Sequence, residues 1–257
     1  MIIEFYKYQG TGNDFIMIDD RENTFDINDQ ELVAALCERR MGIGADGLIL
    51  LRKHDKLDFE MIYFNSDGKL SSMCGNGGRC IVAFAKMLDI ITNETNFMAI
   101  DGAHKAKIAQ DGIYLQMQEV TKIEGVGEGI VLDTGSPHYI EMVDSLDNLD
   151  VEKEGRKIRN SAPFKKEGIN VNFVLDAADL EVRTYERGVE AETLSCGTGV
   201  TASALVAAVT YELKSPIQVM TRGGLLTVTF EKLGSENFHK IYLAGPALKV
   251  FEGSIDL

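Results

Sequence analysis

Two short stretches hold the groups best suited to do chemistry. Met73-Cys74-Gly75-Asn76-Gly77-Gly78-Arg79-Cys80 and Ser195-Cys196-Gly197-Thr198-Gly199 each set a cysteine before a Gly-x-Gly, and each runs at once into an apolar segment. A thiolate is a base and a nucleophile, and it forms most readily where the local potential is positive. A helix N-terminus supplies that potential through its dipole and through backbone N–H groups that no helical carbonyl reaches. Glycines in the same turn leave those N–H groups open to an anion and let a ligand approach the backbone closely. Taken singly, either motif reads equally well as a small buried residue before a glycine-rich helix start. The repetition, with Cys196 lying 122 residues after Cys74, favours a pair of activated thiols, each beside its own anion-binding turn.

These thiols need elements to position them. The segments after them, Ile81-Val82-Ala83-Phe84-Ala85 and Val200 to Ala208, are apolar nearly all round, so both are expected as buried helices. Other pieces recur at a similar offset. Gly12-Asn13-Asp14-Phe15 is matched by Gly135-Ser136-Pro137-His138, and the strand-like run Phe59 to Tyr63 by Leu180 to Thr184. One unit used twice, at a period far too long for a solenoid, predicts two similar domains.

In chain order, residues 1–9 and 14–20 alternate as strands around a turn at Gly10 to Asn13. Asn28 is the expected N-cap of a helix through Leu32, Leu36 and Arg40, with Glu31 completing a capping box and a stop near Gly42. Cys37 lies inside it as core. Strands follow at Gly47 to Leu51 and Asp58 to Phe64, then the first buried helix to about Ile90, then three strands ending at Glu119. Val120 to Gly129 has three glycines and no firm periodicity, and reads as the boundary. The second half repeats the theme: strands from Ile130 and Tyr139, a helix from about Asn148 to Asn160, strands from Val171 and Leu180, the second buried helix, and closing strands. The expected fold is α+β, two pseudo-symmetric lobes, each a curved mixed or antiparallel sheet wrapped around a buried central helix. Residues 1–119 form the lobe carrying Cys74, residues 120–246 the lobe carrying Cys196, and 247–257 return to the first lobe as a strand.

Composition narrows the functions. The chain has 257 residues, enough for two modest cores, and a net charge of −14, which argues against nucleic acid or an anionic membrane as partner. The acidic stretch from Glu141 to Glu154 reads as a solvated face. No apolar run approaches membrane-spanning length. Lys7 sits inside an alternating pattern, not ahead of an apolar block, so no signal peptide is expected. The four cysteines (Cys37, Cys74, Cys80 and Cys196) are expected as thiols in a reducing cytoplasm. They form no Cys-x-x-Cys and no His/Cys cluster with ligand spacing, so no metal is expected, and a thiol redox or metal-binding role ranks low. A pure anion-binding module would not need two thiols.

The motifs also resemble a known family. Gly-Thr-Gly-Asn-Asp-Phe (10–15), Ala-Asp-Gly (45–47), Phe-Asn-Ser-Asp-Gly (64–68), the Cys74 stretch, Ser-Pro-His (136–138), Ile-Asn-Val-Asn-Phe (169–173), Glu-Arg-Gly (186–188) and the Cys196 stretch are similar to those of diaminopimelate epimerases. They occur in the family's order and span both halves. The resemblance implies cofactor-free interconversion of LL- and meso-diaminopimelate on the way to lysine, an active site in the cleft between two lobes, and a homodimer. It implies Cys74 and Cys196 as the acid/base pair, conventionally donor and acceptor. Asn13, Asn65, Gly75, Asn76, Asn170, Glu186, Arg187, Gly197 and Thr198 match the family's substrate-binding positions. His138 and Glu186 match positions thought to tune the cysteines, while Cys80 belongs to the motif but reads as packing.

The residues suit that chemistry on their own terms. Inverting a stereocentre without a cofactor means taking a proton from one face of a carbon and returning one to the other, which calls for two bases. Thiols titrate near ~8.5 and helix termini lower that value, so one thiol and one thiolate can coexist near neutrality. N–H groups at Gly75-Asn76 and Gly197-Thr198 suit the substrate carboxylate, on which negative charge builds. Arg187 suits a second carboxylate and Glu186 an ammonium, which fits a substrate with two amino-acid ends better than proline or hydroxyproline. A phenazine-pathway isomerase would share the fold without the paired cysteines. Three departures stand out. Ser136 replaces the family's usual Asn, Gly47 occupies a position that is Gln in some members, and the run from Gly188 to Ser195 is one residue longer than usual.

Overall fold

The computed structural model describes residues 2–71, 73–175, 180–234 and 236–256. The chain divides into two compact units, Met1–Leu115 with Gly245–Leu257, and Gln116–Ala244.

The first unit contains β1 (Ile2–Gly10), β2 (Asn13–Asp19), α1 (Gln30–Cys37), β3 (Gly47–Arg52), β4 (Phe59–Asn65), α2 (Gly75–Met87), β5 (Glu94–Ala99), β6 (Gly102–Ala109) and β7 (Gly112–Gln116). Its sheet runs from the C-terminal strand (Leu248–Asp256) through β1, β2, β3, β4, β5 and β6 to β7. All neighbours are antiparallel except β2 with β3 and β4 with β5. Strands β2 and β3 read Phe-Ile-Met-Ile and Leu-Ile-Leu-Leu without polar alternation because both faces are covered. Ile16, Ile18, Leu48 and Leu50 turn one way, into a cluster with Val33 and Leu36 of α1. Phe15 and Ile49 turn the other way, against Gly77 of α2.

The second unit contains β8 (Ile123–Val126), β9 (Gly129–Asp133), β10 (Pro137–Val143), α3 (Val151–Arg159), β11 (Asn170–Leu175), β12 (Leu180–Glu186), β13 (Ala191–Thr193), α4 (Gly197–Thr210), β14 (Ile217–Thr221), β15 (Gly224–Lys232) and β16 (Phe238–Gly245). Its sheet runs β8, β9, β10, β11, β12, β14, β15, β16, with β13 paired to β12. Only β10 with β11 and β12 with β14 are parallel within that run, so the order of directions matches the first unit strand for strand. Tyr139, Val171, Phe173 and Tyr185 pack with Val151 on the α3 side. Helix α4 is buried along most of its length, as its all-round apolar sequence requires.

Several elements differ from the sequence expectation. Asp29, not Asn28, caps α1, its carboxylate accepting the Leu32 N–H at 2.9 Å, while Asn28 joins a turn on Asp26. The helix ends at Cys37 because Glu38 turns to extended backbone and Ile43 and Gly44 donate back to the Leu36 carbonyl. Helix α3 starts three residues later than expected, at Val151, where Asp150 accepts from Lys153 N. Finally, the aperiodic segment 120–129 holds β8, and the longer run before Cys196 holds β13. Both are short strands whose partners, and not their own patterns, make them strands. Among the described residues no helix is long and apolar enough to cross a membrane.

Candidate active site

In each unit the cysteine is the N-cap of the buried helix. Cys74 caps α2 and Cys196 caps α4, both in extended backbone, and their carbonyls accept the first helical bonds from Gly78 and Val200 at 2.7 and 2.8 Å. Each sulfur therefore sits at the positive end of a helix dipole, beside the first-turn N–H groups. Cys37 and Cys80 differ from this pair. They lie in the core, and burial pushes both thiols up to about 12, which leaves them protonated and inert.

Around Cys74 the hydrogen bonds have a fixed sense. Arg79 is fully buried, and its guanidinium donates to Asn76 Oδ1 (2.9 Å), Thr11 Oγ1 (3.2 Å), the Gly75 carbonyl (3.3 Å) and the Pro246 carbonyl (3.4 Å). Burial lowers its pKa, with Cys80 and Cys74 opposing the shift. A guanidinium only donates, so the Asn76 carboxamide must turn its oxygen to Arg79 and its nitrogen to Asn13 Oδ1, 3.4 Å away. From the other side, Asn13 Nδ2 donates to the Asp46 carboxylate at 2.6 Å. Both constraints leave Asn13 Oδ1 as the acceptor facing Cys74 Sγ at 3.6 Å, so this sulfur is held as an S–H donor.

Asp46 is itself held in place. Arg39 reaches Asp46 and Asp14 at 2.7 Å each, and Lys7, buried, pairs with Asp14 at 2.7 Å and donates to the Gly44 carbonyl. Arg39 and Lys7 hold the Asp14 carboxyl down to about 2 against the opposing effect of burial. The hairpin that delivers Asn13 turns on Thr11 and Gly12, both at positive φ (50° and 86°). A β-branched residue in that region is strained, and the Thr11 hydroxyl offsets this by joining Arg79 and Asn76.

The second unit solves the same problem with other residues. The backbone pairing that sets Phe15 against Gly47 in the first unit sets His138 against Asn170 here. His138 is fully buried and neutral, pushed down to about 3 by burial and by the charge of Arg187. Its Nε2 lies 2.8 Å from Thr198 Oγ1, which in turn lies 3.4 Å from Cys196 Sγ. Thr134 Oγ1 donates to the Thr198 carbonyl at 2.9 Å, tying this turn of α4 to the segment before β10. Asn170 Nδ2 donates to Ser136 Oγ (2.9 Å) and the Pro137 carbonyl (3.2 Å), and its oxygen accepts the Arg187 N–H at 2.8 Å. The serine in place of asparagine thus anchors Asn170. Arg187 Nη1 donates to the Glu167 carbonyl at 3.1 Å, and burial pushes the Glu186 carboxyl up.

The first unit therefore gathers Asn13, Cys74, Gly75 and Asn76 at one helix start, with Asn65 exposed at the end of β4 in the turn closed by the Gly68 N–H. The second gathers Ser136, His138, Asn170, Arg187, Cys196, Gly197 and Thr198, with Glu186 at the end of β12 beside Thr193. Asp46, Arg79 and Asn172 were not foreseen as parts of the site. For Asn172 a signal existed: Asn170 and Asn172 are polar at i and i+2 in a strand otherwise apolar, hence on one buried face. The expected role of the glycines also needs correction in part. Gly77 faces Ile49, Met61 and Phe15, and Gly199 faces Asn172 and His138, so packing inside each unit, not ligand approach, excludes a side chain at both.

The family model for diaminopimelate epimerase matches residues 5–123 and 130–250, in both units. The chain belongs to the diaminopimelate epimerase family. A diaminopimelate epimerase from Flavobacterium psychrophilum is 51% identical over 98% of this chain and 100% of its own length. One from Aquifex aeolicus is 40% identical, covering 98% of each chain. Among solved structures, a phenazine biosynthesis protein of the PhzF family from Bacillus anthracis matches with a TM-score of 0.78 over 100% of both chains at 14% identity. A hydroxyproline epimerase from Agrobacterium vitis matches with a TM-score of 0.67 over 99% of this chain and 92% of its own, also at 14% identity. At that identity the two structures speak for the shared fold, and family membership rests on the sequence matches.

Proposed function

We propose that this protein is a diaminopimelate epimerase, an isomerase that interconverts LL- and meso-diaminopimelate with Cys74 and Cys196 as its two bases and without a cofactor. The observation that carries this reading is the pair of cysteines capping the two buried helices, in a chain matched along both units by the family model. In one direction the Cys196 thiolate removes the α-proton. The C–H bond breaks, an S–H bond forms, and the electron pair passes into the substrate carboxylate. Cys74, held as an S–H donor, then delivers its proton to the opposite face. The thiol and thiolate have changed places, and the reverse reaction restores them. One α-carbon must lie within reach of both sulfurs, on opposite faces.

The carbanion's charge falls on the α-carboxylate, for which the N–H groups of Gly75-Asn76 and Gly197-Thr198 are suited. Glu186 and Arg187 are assigned to the second amino-acid end and Asn13, beside Cys74, to the reacting one, while Asn65 and Asn170 suit either end. The enzyme is assigned to the cytoplasm, as a homodimer serving lysine biosynthesis.

The test is incubation with LL-diaminopimelate in heavy water with no cofactor added. Meso product with deuterium confined to one α-carbon is expected. Replacing Cys74 or Cys196 by Ala should lower the rate by at least roughly 10²–10⁴-fold, the usual contribution of a general acid or base, with the fold intact. Label entering proline or hydroxyproline instead would overturn the substrate, and substantial activity in either Ala variant would overturn the two-thiol assignment.

A further inference from the structure

The hydrogen bonds behind Cys196 have a direction, and one buried side chain sets it. Asn172, fully buried on β11, points its Nδ2 at two groups, the Tyr139 carbonyl (3.1 Å) and His138 Nδ1 (3.0 Å). A carbonyl oxygen can only accept, so the amide nitrogen must face Tyr139. The amide oxygen faces Thr184, whose hydroxyl donates to it at 2.9 Å. The second amide hydrogen then enters His138 Nδ1, which must present its lone pair. His138 is neutral, so its single N–H is on Nε2.

That N–H points at Thr198 Oγ1, 2.8 Å away. The 3.5 Å approach of Asn170 Nδ2 to Nε2 is a contact of two donors, because the Asn170 hydrogens go to Ser136 and Pro137. Thr198 Oγ1, having accepted from His138, has its own hydrogen available for the Cys196 sulfur at 3.4 Å, and a Cys196 thiolate, which can only accept, takes it. The sense of the chain is therefore Asn172 to His138 to Thr198 to Cys196, each group donating to the next. At Cys74 the sense is opposite, since the sulfur faces the obligate acceptor Asn13 Oδ1.

We propose that Asn172 is a positioning residue for Cys196: by fixing His138 as the Nε2–H tautomer it makes the Thr198 hydroxyl a donor to the sulfur, and so prepares this thiol to lose its proton. The inference rests on the reading of Cys196 as a base, and it adds a residue outside the groups that meet substrate. It also accounts for Gly199, because any side chain there would strike the Asn172 amide oxygen.

Two measurements that need no substrate test it. The first is the ¹⁵N spectrum of imidazole-labelled protein, in which only His54, His104, His138 and His239 contribute and His138→Gln identifies the signal. The Nε2–H tautomer is expected in the wild type, and loss of that single tautomer in Asn172→Leu. The second is the alkylation rate of Cys196 at neutral pH, read by peptide mass spectrometry with Cys74 as internal reference. A hydrogen bond to a charged acceptor is worth enough to shift thiolate population about tenfold. Asn172→Leu and Thr198→Val should therefore slow Cys196 by about tenfold relative to Cys74, while Thr198→Ser keeps the wild-type rate. Thr198→Val removes the last donor at a partly exposed position and remains informative if Asn172→Leu does not fold. An Nδ1–H tautomer in the wild type, an unchanged Cys196 rate in Thr198→Val, or an equal loss at both cysteines would overturn the proposal. Because neither readout involves turnover, its failure is separate from a failure to epimerise.

Discussion

At the scale of residues, the two units reach the same end by unlike means. Cys74 faces a carboxamide oxygen that Asp46 and Arg79 hold in place, and Cys196 faces a hydroxyl behind a buried imidazole. The imidazole has a consequence for stability. Its folded pKa is about 3, against ~6.5 when unfolded, so the folded protein refuses a proton that the unfolded chain accepts between those values. Its stabilising contribution is complete above ~6.5 and is lost as pH falls toward 3, at up to about 1.4 kcal/mol per pH unit. The Asp14 window lies lower, between ~3.9 and about 2. In urea titrations at pH 4 to 7, His138→Gln should therefore give a shallower dependence of stability on pH than the wild type. Superimposable slopes would mean that His138 is not held neutral.

At the scale of elements, the helix starts were the most legible part of the sequence. A cysteine, a Gly-x-Gly and an apolar run place Cys74 and Cys196 as N-caps without help from tertiary structure. The strand runs around Phe15, Leu48 and Val171 were legible as well, because strong periodicity or strong apolarity marks them. What stayed hidden was set by neighbours distant in the chain. Strands β8 and β13 exist through their partners, Asp46 joins the site only because β2 and β3 bring it to Asn13, and Asn172 acts only through its turn toward α4. The packing of α4 on β11 supplies a test at this scale. Gly199→Ala drives a Cβ into Asn172 and His138, so a cost of about 1–3 kcal/mol from overpacking is expected, with a fall in Cys196 alkylation. Gly125→Ala on β8 meets nothing within 4 Å and should leave both unchanged. Equal effects of the two would refute this reading of Gly199.

At the scale of the whole molecule, the repeat of eight strands with one order of directions is its main regularity. The outermost place beside β1 is taken by the C-terminal strand, and the matching place beside β9 by β8. Deleting Leu248–Asp256 should strip amide protection from β1 and β2 while β9 to β12 keep theirs, which hydrogen exchange with mass spectrometry would resolve. Uniform loss across both units would mean that they do not hold their sheets independently.

This difference in chain order also bears on how the protein is made. In the second unit the flanking strand is the first to be synthesised, so every strand of its sheet is available once Ala244 has left the ribosome. The first unit begins earlier and ends later. Its β1 waits for a partner that arrives some 240 residues afterward, at Leu248. At about 5–20 residues per second that interval is on the order of 10–50 s, long beside the folding of a small domain. During translation the edge of β1 is thus the surface a nascent-chain chaperone would find exposed until its outer partner arrives.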